Sequence, residues 1–171
     1  MQFTNFKICR RKEYRDSGIR LMLYFAYGSN LNWHQMKNKR CPGSKYIQSY
    51  ILKGYKLIFS HRNPNNKHGH ANIEKNKNFS VPGAIWNLTK NHESTLDDYE
   101  AVNYNPQYYY KEYFRWKGKK VLIYIQKIYT KRKPASSYLH TIIEGYKDCN
   151  LDMSYLKKRI SNYTISYKVH W

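Results

Sequence analysis

The sequence is short of acid. Eleven Asp and Glu stand against 31 Lys and Arg in 171 residues, a formal net charge of +20 at pH 7. Such an imbalance creates a long-range positive potential, which suits nucleic acid or another polyanionic partner. It equally suits a compositional bias, because Lys, Asn, Ile and Tyr are all abundant, as in an AT-rich genome. The basic residues are spread along the chain, with short clusters at Arg10-Arg11-Lys12, at 117–120 and at Lys131-Arg132-Lys133. No zinc finger, helix-turn-helix pattern or RNA-binding signature accompanies them. Cysteine is scarce too. Cys9, Cys41 and Cys149 are odd in number, widely spaced and without a CxxC pair, which argues against a disulfide framework and for free thiols in a reducing compartment. Apolar runs are short, and none approaches the ~20 residues that a bilayer-spanning helix needs. The first twenty residues, MQFTNFKICRRKEYRDSGIR, contain no uninterrupted apolar segment of the signal-peptide kind. The expectation is a cytoplasmic protein without membrane contact.

What the chain does have is aromatic material: 17% of residues, with Tyr at 19 positions. That supplies core for one domain of ordinary size. Residues 1–20 alternate charge with isolated apolar positions and are expected to be an N-terminal extension. The domain is expected to run over 21–171.

Its first stretch, LMLYFAYGSN at 21–30, is apolar and aromatic up to Tyr27 and then breaks into Gly28, Ser29 and Asn30. This predicts a buried strand, a turn in which Gly28 is free to take positive φ, and a helix over 31–38 with Asn30 as its N-cap. A strand–turn–helix junction offers free backbone N–H groups to an anion or a developing oxyanion. It is also what any βα turn looks like.

Further on, Cys41-Pro42-Gly43-Ser44 marks a turn. Residues 46–60 alternate around Gly54, as two strands or one strand with a bulge. Residues 61–78 are polar and rich in Asn, and read as a long loop with a brief strand at Ala71-Asn72-Ile73. His61, His68 and His70 in that loop lack a third ligand at metal-site spacing, so a surface loop is expected. A strand entered through a Pro-Gly turn follows at 81–88. A helix over 89–101 comes next, capped by Thr89 or Asn91 and burying Leu96 and Tyr99 on one face. Strands are predicted at 108–116 and 119–129. A helix capped by Ser136 or Ser137 should bury Leu139, Ile142, Ile143 and Tyr146, and a last helix should begin near Leu151-Asp152-Met153 and run through Ile160. A closing strand is expected at 164–169. The class is α+β with a barrel-like or strongly curved sheet.

Among so few acids, Glu100 stands out. It follows Leu96-Asp97-Asp98-Tyr99 and precedes a Pro-containing loop at 102–107, in a Tyr-rich neighbourhood able to desolvate a carboxylate and raise its pKa. Taken alone it reads as a solvated helix-end acid.

Taken together, YFAYGSNL at 24–31, GHANI at 69–73, VPGAIWNL at 81–88, LDDYE at 96–100 and PASSYL at 134–139 resemble the gamma-glutamylcyclotransferase family over about 21–160. The resemblance implies a small mixed β-barrel with flanking helices and a site at one mouth. It implies that Tyr24, Phe25, Ala26, Tyr27, Gly28 and Ser29, with Asn30, wrap a γ-glutamyl group, and that Glu100 is the catalytic acid/base. It implies substrate contacts from Tyr109, with Tyr108 as the alternative, and from Tyr138. The reaction would be attack of the substrate's own α-amine on its γ-carbonyl, releasing 5-oxoproline and an amine or amino acid, with neither a metal nor an organic cofactor. Ala101 stands where that family usually has Gly, and the loop at 102–107 is slightly longer than usual, which implies altered specificity more than lost chemistry. The competing reading is a non-catalytic anion-binding module on the same scaffold, holding a nucleotide or nucleic acid by its positive charge. A steep salt dependence of polyanion binding would distinguish it.

Overall fold

The computed structural model describes residues 21–163. The expected N-terminal extension and the expected strand at 164–169 lie outside the described residues. Six strands form one mixed sheet that curls into a half-barrel with helices on its flanks. They are β1 (Met22–Ala26), β2 (Lys45–His61), β3 (His70–Leu88), β4 (Tyr110–Trp116), β5 (Lys119–Ile125) and β6 (Thr130–Lys131), in the order β4-β5-β1-β3-β2-β6. The strand β1 runs antiparallel to β3 and parallel to β5, so it lies inside the sheet. That position explains why Tyr24, Phe25 and Ala26 are all buried and why the sequence there is continuously apolar.

The strands β2 and β3 form one long antiparallel hairpin closed by residues 62–69. The pairing slips between Lys53 and Tyr55, where Gly54 takes a φ of +81°, so the bulge is the correct alternative for that glycine. Two expectations are corrected on β3. Residues 70–78 belong to the strand: β2 supplies ladder partners for His70 through Lys75 whatever their polarity, and pairing resumes at Ser80 beyond the irregularity opposite Gly54. Pro82-Gly83 is no turn: both residues are paired within the strand, opposite Ile51 and Tyr50. A Cβ at position 83 would come within 2.3 Å of the Phe25 ring, so this glycine serves close approach. The buried Asn72 bonds the backbone of Gln126 at both N–H (2.9 Å) and C=O (3.2 Å), tying β3 to the end of β5.

Three helices follow the expected order. The first, α1 (Lys90–Tyr99), starts on a reciprocal cap between Thr89 and His92. It buries Leu96 but leaves Tyr99 exposed, contrary to the shared face expected of that pair. The second, α2 (Ser136–Asp148), buries Leu139, Ile142, Ile143 and Tyr146 as predicted, but its N-cap is Ala135 and no serine side chain caps it. The third, α3 (Met153–Ile160), is capped by Asp152. The expected helix at 31–38 is replaced by a 3₁₀ turn, Ser29–Leu31, and a π-helical turn, Gln35–Arg40. Asn32, and not Asn30, accepts the Gln35 N–H at 2.8 Å. Gly145 lets α2 lie directly on this segment, since a Cβ there would meet Asn32 N and Leu31 Cβ at 2.6 Å. Trp33 N–H donating to Asp148 (2.7 Å) fixes the contact. Among the described residues no helix is long and apolar enough to cross a membrane.

Candidate active site

The end of β1 and the end of α1 meet around a cavity of about 230 Å³. From β1 and its turn come Tyr24, Tyr27, Gly28, Ser29 and Asn30; Glu100 comes from the C-cap of α1, and Tyr108, Tyr109, Tyr124 and Tyr138 close the walls. Phe25 and Ala26 do not line it. A strand turns alternate side chains to opposite faces, and Phe25 packs edge-on against Phe114 and Tyr50 at centroid distances of 5.7 and 6.0 Å. Ala26 is fully buried in the ladder, opposite Ala84.

Gly28 has φ −120°, so the turn does not use positive φ. It needs glycine because a Cβ would sit 2.8 Å from Ala71 Cβ and 3.4 Å from the Tyr138 hydroxyl. The 3₁₀ turn then closes with Leu31 N–H on Gly28 O (3.0 Å) and Asn32 N–H on Ser29 O (3.1 Å). The N–H groups at the start of any helical turn have no intrahelical acceptor.

Asn30 organises the acid. Its Nδ2 donates to the Tyr24 hydroxyl (2.8 Å) and to Glu100 Oε1 (3.2 Å), while its Oδ1 accepts from Gln35 Nε2 (3.2 Å) and from the Arg40 guanidinium. Arg40 also lies 3.8 Å from Glu100 Oε1 and over the Tyr99 ring at 4.6 Å. The Glu100 side chain is 15% exposed. Burial pushes its carboxyl above the ordinary range, and the Arg40 charge and the Asn30 bond oppose that without reversing it. A carboxylate raised in this way is suited to taking and returning a proton near neutral pH.

The α1 terminus that carries Glu100 is well fixed. Ala101 N–H bonds Asp98 O (3.1 Å) and Val102 N–H bonds Asp97 O (2.9 Å), the paired bonds of a Schellman cap. Ala101 occupies the left-handed position with φ 48°. Asp97 accepts from the Tyr124 hydroxyl (2.7 Å) and pairs with Lys111 (2.5 Å), which pins the helix end to β4 and β5. Opposite, two tyrosines converge on the backbone of one residue, Ala71. The Tyr109 hydroxyl donates to Ala71 O (2.6 Å), and Ala71 N–H donates to the Tyr138 hydroxyl (3.1 Å). Tyr108 faces His70, hydroxyl to Nδ1 at 3.0 Å. Burial raises the phenol pKa of Tyr24, Tyr27, Tyr109, Tyr124 and Tyr138, and pushes that of Tyr108 up to about 12. These walls are therefore neutral, and Glu100 is the sole carboxylate among the described lining residues.

Sequence reasoning missed Arg40, Gln35, His70 and Tyr124. The π turn hid Arg40 behind an apparent helix, and His70 looked like loop until its strand was seen. Among the described residues no group of His, Cys, Asp or Glu is arranged to hold a metal ion.

The family described as gamma-glutamyl cyclotransferase, AIG2-like, matches residues 24–144. A gamma-glutamylcyclotransferase of Bos taurus is 31% identical over 156 residues, covering 85% of this chain and 81% of that protein. Its Homo sapiens counterpart is 28% identical over 144 residues, with 80% and 76% covered. A solved gamma-glutamyl cyclotransferase shares the fold at a TM-score of 0.73 and 24% identity, over 88% of this chain and 93% of that one.

Proposed function

Because the chain belongs to the gamma-glutamyl cyclotransferase, AIG2-like family, we propose that it cyclises a γ-glutamyl compound to 5-oxoproline, with Glu100 as the proton-transfer group. The observation that carries this reading is the desolvated Glu100 carboxyl, held by Asn30 at 3.2 Å inside a tyrosine-walled cavity. At about 230 Å³ the cavity is smaller than the ~300–1,000 Å³ of drug-sized ligand sites. It suits an enclosed glutamyl group whose leaving amine projects to the mouth.

Glu100 takes one proton from the α-ammonium. The freed lone pair forms the C–N bond to the γ-carbon, and the carbonyl pair moves to oxygen. Collapse of this adduct restores C=O and breaks the bond to the leaving nitrogen, which receives the proton from Glu100. The ring nitrogen sheds its second proton as the departing amine becomes an ammonium, so protons balance. The turn at Tyr24, Tyr27, Gly28 and Ser29 cradles the glutamyl chain, with backbone N–H groups toward the developing oxyanion. Tyr109 and Tyr138 hold the curled conformer from the other side. Attack within one molecule makes that restraint a large share of the acceleration. Phe25 and Ala26 act through the strand backbone alone.

The test is 5-oxoproline release from a panel of γ-glutamyl amino acids, peptides and amines, comparing wild type with Glu100→Gln. General acid–base catalysis is worth about 10²- to 10⁴-fold, and the variant is expected to lose that much. If nothing on the panel turns over the activity is wrong; if the Gln variant keeps full rate the named acid is wrong.

A further inference from the structure

We propose that Arg40 anchors the α-carboxylate of the γ-glutamyl group, so that Arg40 and Glu100 together read the two charged substituents on one α-carbon. The inference rests on the proposed γ-glutamyl reading of this cavity.

Charge accounting leads to it. A γ-glutamyl substrate brings an α-ammonium and an α-carboxylate, and Glu100 serves the first. Entering a site whose only charge was Glu100, the carboxylate would be repelled and stripped of water without compensation. Arg40 is the sole Lys or Arg among the described lining residues. His70 is no substitute, because burial first, and then the charges of His61 and Arg40, hold it below its ordinary range.

Geometry agrees. Arg40 ends the π-helical turn, where Cys41 N–H bonds Met36 O at 2.8 Å. Single π turns are rare and recur at functional sites, because the extra residue redirects the side chains that follow. The redirected guanidinium is laid on Tyr99 (4.6 Å) and tethered to Asn30, with its side chain 19% exposed. Both the Asn30 bond and the 3.8 Å approach to Glu100 use one nitrogen, Nη1. A guanidinium carries five N–H donors in a planar fork that matches a carboxylate bidentately. The field of Arg40 also favours the ionised forms of Tyr24, Glu100 and Tyr138, groups on different walls of the cavity.

A purely structural Arg40, holding Asn30 and Glu100 in place, predicts something different. The experiment compares a turned-over γ-glutamyl amine with its α-carboxamide analogue in wild type, Arg40→Gln and Arg40→Lys, each first checked by thermal melting. Charged hydrogen bonds of this kind translate to about 10- to 100-fold. Loss of Arg40 also disturbs Asn30 and Glu100, which affects both substrates alike. Arg40→Gln is therefore expected to raise KM for the α-carboxylate by that factor over and above any change seen with the carboxamide, erasing the wild-type preference. Arg40→Lys, keeping charge but not the fork, should retain part of the preference. Should Arg40→Gln fail to fold, Arg40→Lys must still lose more on the carboxylate than on the carboxamide. An equal fall in kcat for both substrates with the preference intact overturns the proposal. Binding of 5-oxoproline against its carboxamide, by calorimetry, tests the same discrimination without turnover, so a failed γ-glutamyl activity and a failed carboxylate anchor are told apart.

Discussion

Replacing Ala101 by Gly should stabilise the fold by relieving the cap that carries Glu100. Ala101 sits at φ 48° as the left-handed residue of the Schellman cap of α1. For an L-residue with a Cβ that conformation costs roughly 1–2 kcal/mol. Gly removes the strain but makes the unfolded chain freer, by about 0.4–1 kcal/mol. It also gives up a half-buried methyl, worth up to about 0.4 kcal/mol at half the value of a buried CH₂. The balance is a gain of about 0.5 kcal/mol, which for a chain of this length raises Tm by roughly 1–2 °C. The same cap fixes the start of the tyrosine strand, because Tyr108 N–H bonds Ala101 O (3.1 Å) and Tyr109 N–H bonds Glu100 O (3.2 Å). Glycine preserves these bonds, so kcat/KM should stay within about twofold. Differential scanning calorimetry and urea titration read the stability, with Ala101→Val as a control that must fall below wild type. A Gly variant melting below wild type would refute the assignment of strain to this residue.

The remaining expectations concern the acid and its turn. Since Glu100 is raised in the fold, the native state binds more protons than the unfolded chain between the ordinary carboxylate range and the raised value. Its contribution is thus full below that range and is lost as pH rises through the raised pKa. Glu100→Gln should therefore gain stability relative to wild type across this window, measured by melts from acid to neutral pH, while the wild-type rate climbs across it. Asn30→Ala removes the hydrogen bond that holds Glu100 down, so the acidic limb of the pH–rate profile should move to higher pH; an unmoved limb would mean that the Asn30 bond does not set the acid. Gly28→Ala drives a Cβ into Ala71 and brings it into contact with the Tyr138 hydroxyl. Overpacking of this kind costs about 1–3 kcal/mol, which a urea titration would detect together with a raised KM.

The central parts of the site were legible because their signals are local. An apolar run broken at Gly28 marks the end of β1, and Leu96 with Asp97 and Glu100 marks a helix end. That they face one another across 70 residues came from the family resemblance, not from periodicity. Elsewhere tertiary context overrode local preference. Glu74 and Lys75 read as loop, yet they are strand because Lys56 and Tyr55 of the long partner lie alongside. Pro82-Gly83 reads as a turn, yet it is a strand segment kept bare for Phe25. Arg40 was one of many scattered cations, and only the π turn gives it a place. The basic cluster at 131–133, singled out for polyanions, is partly engaged within the fold: Lys131 pairs with Glu74 (3.0 Å), and Arg132 holds the carbonyls of Pro64 and Asn66.

The place of β1 inside the sheet bears on how the protein is made. Tyr24 finds its antiparallel neighbour at Trp86 and its parallel neighbour at Leu122, about a hundred residues later. At a synthesis rate of about 5–20 residues per second, a ribosome leaves this strand waiting on the order of 5–20 s before its second neighbour exists. Until β3 is made Met-Leu-Tyr-Phe-Ala has no strand to pair with, and until β5 is made one of its two edges stays open. A nascent chain arrested before β5 would hold a turn without its acid-facing wall and an aggregation-prone strand. Competence of the site then waits on β5, which supplies Tyr124 to its wall.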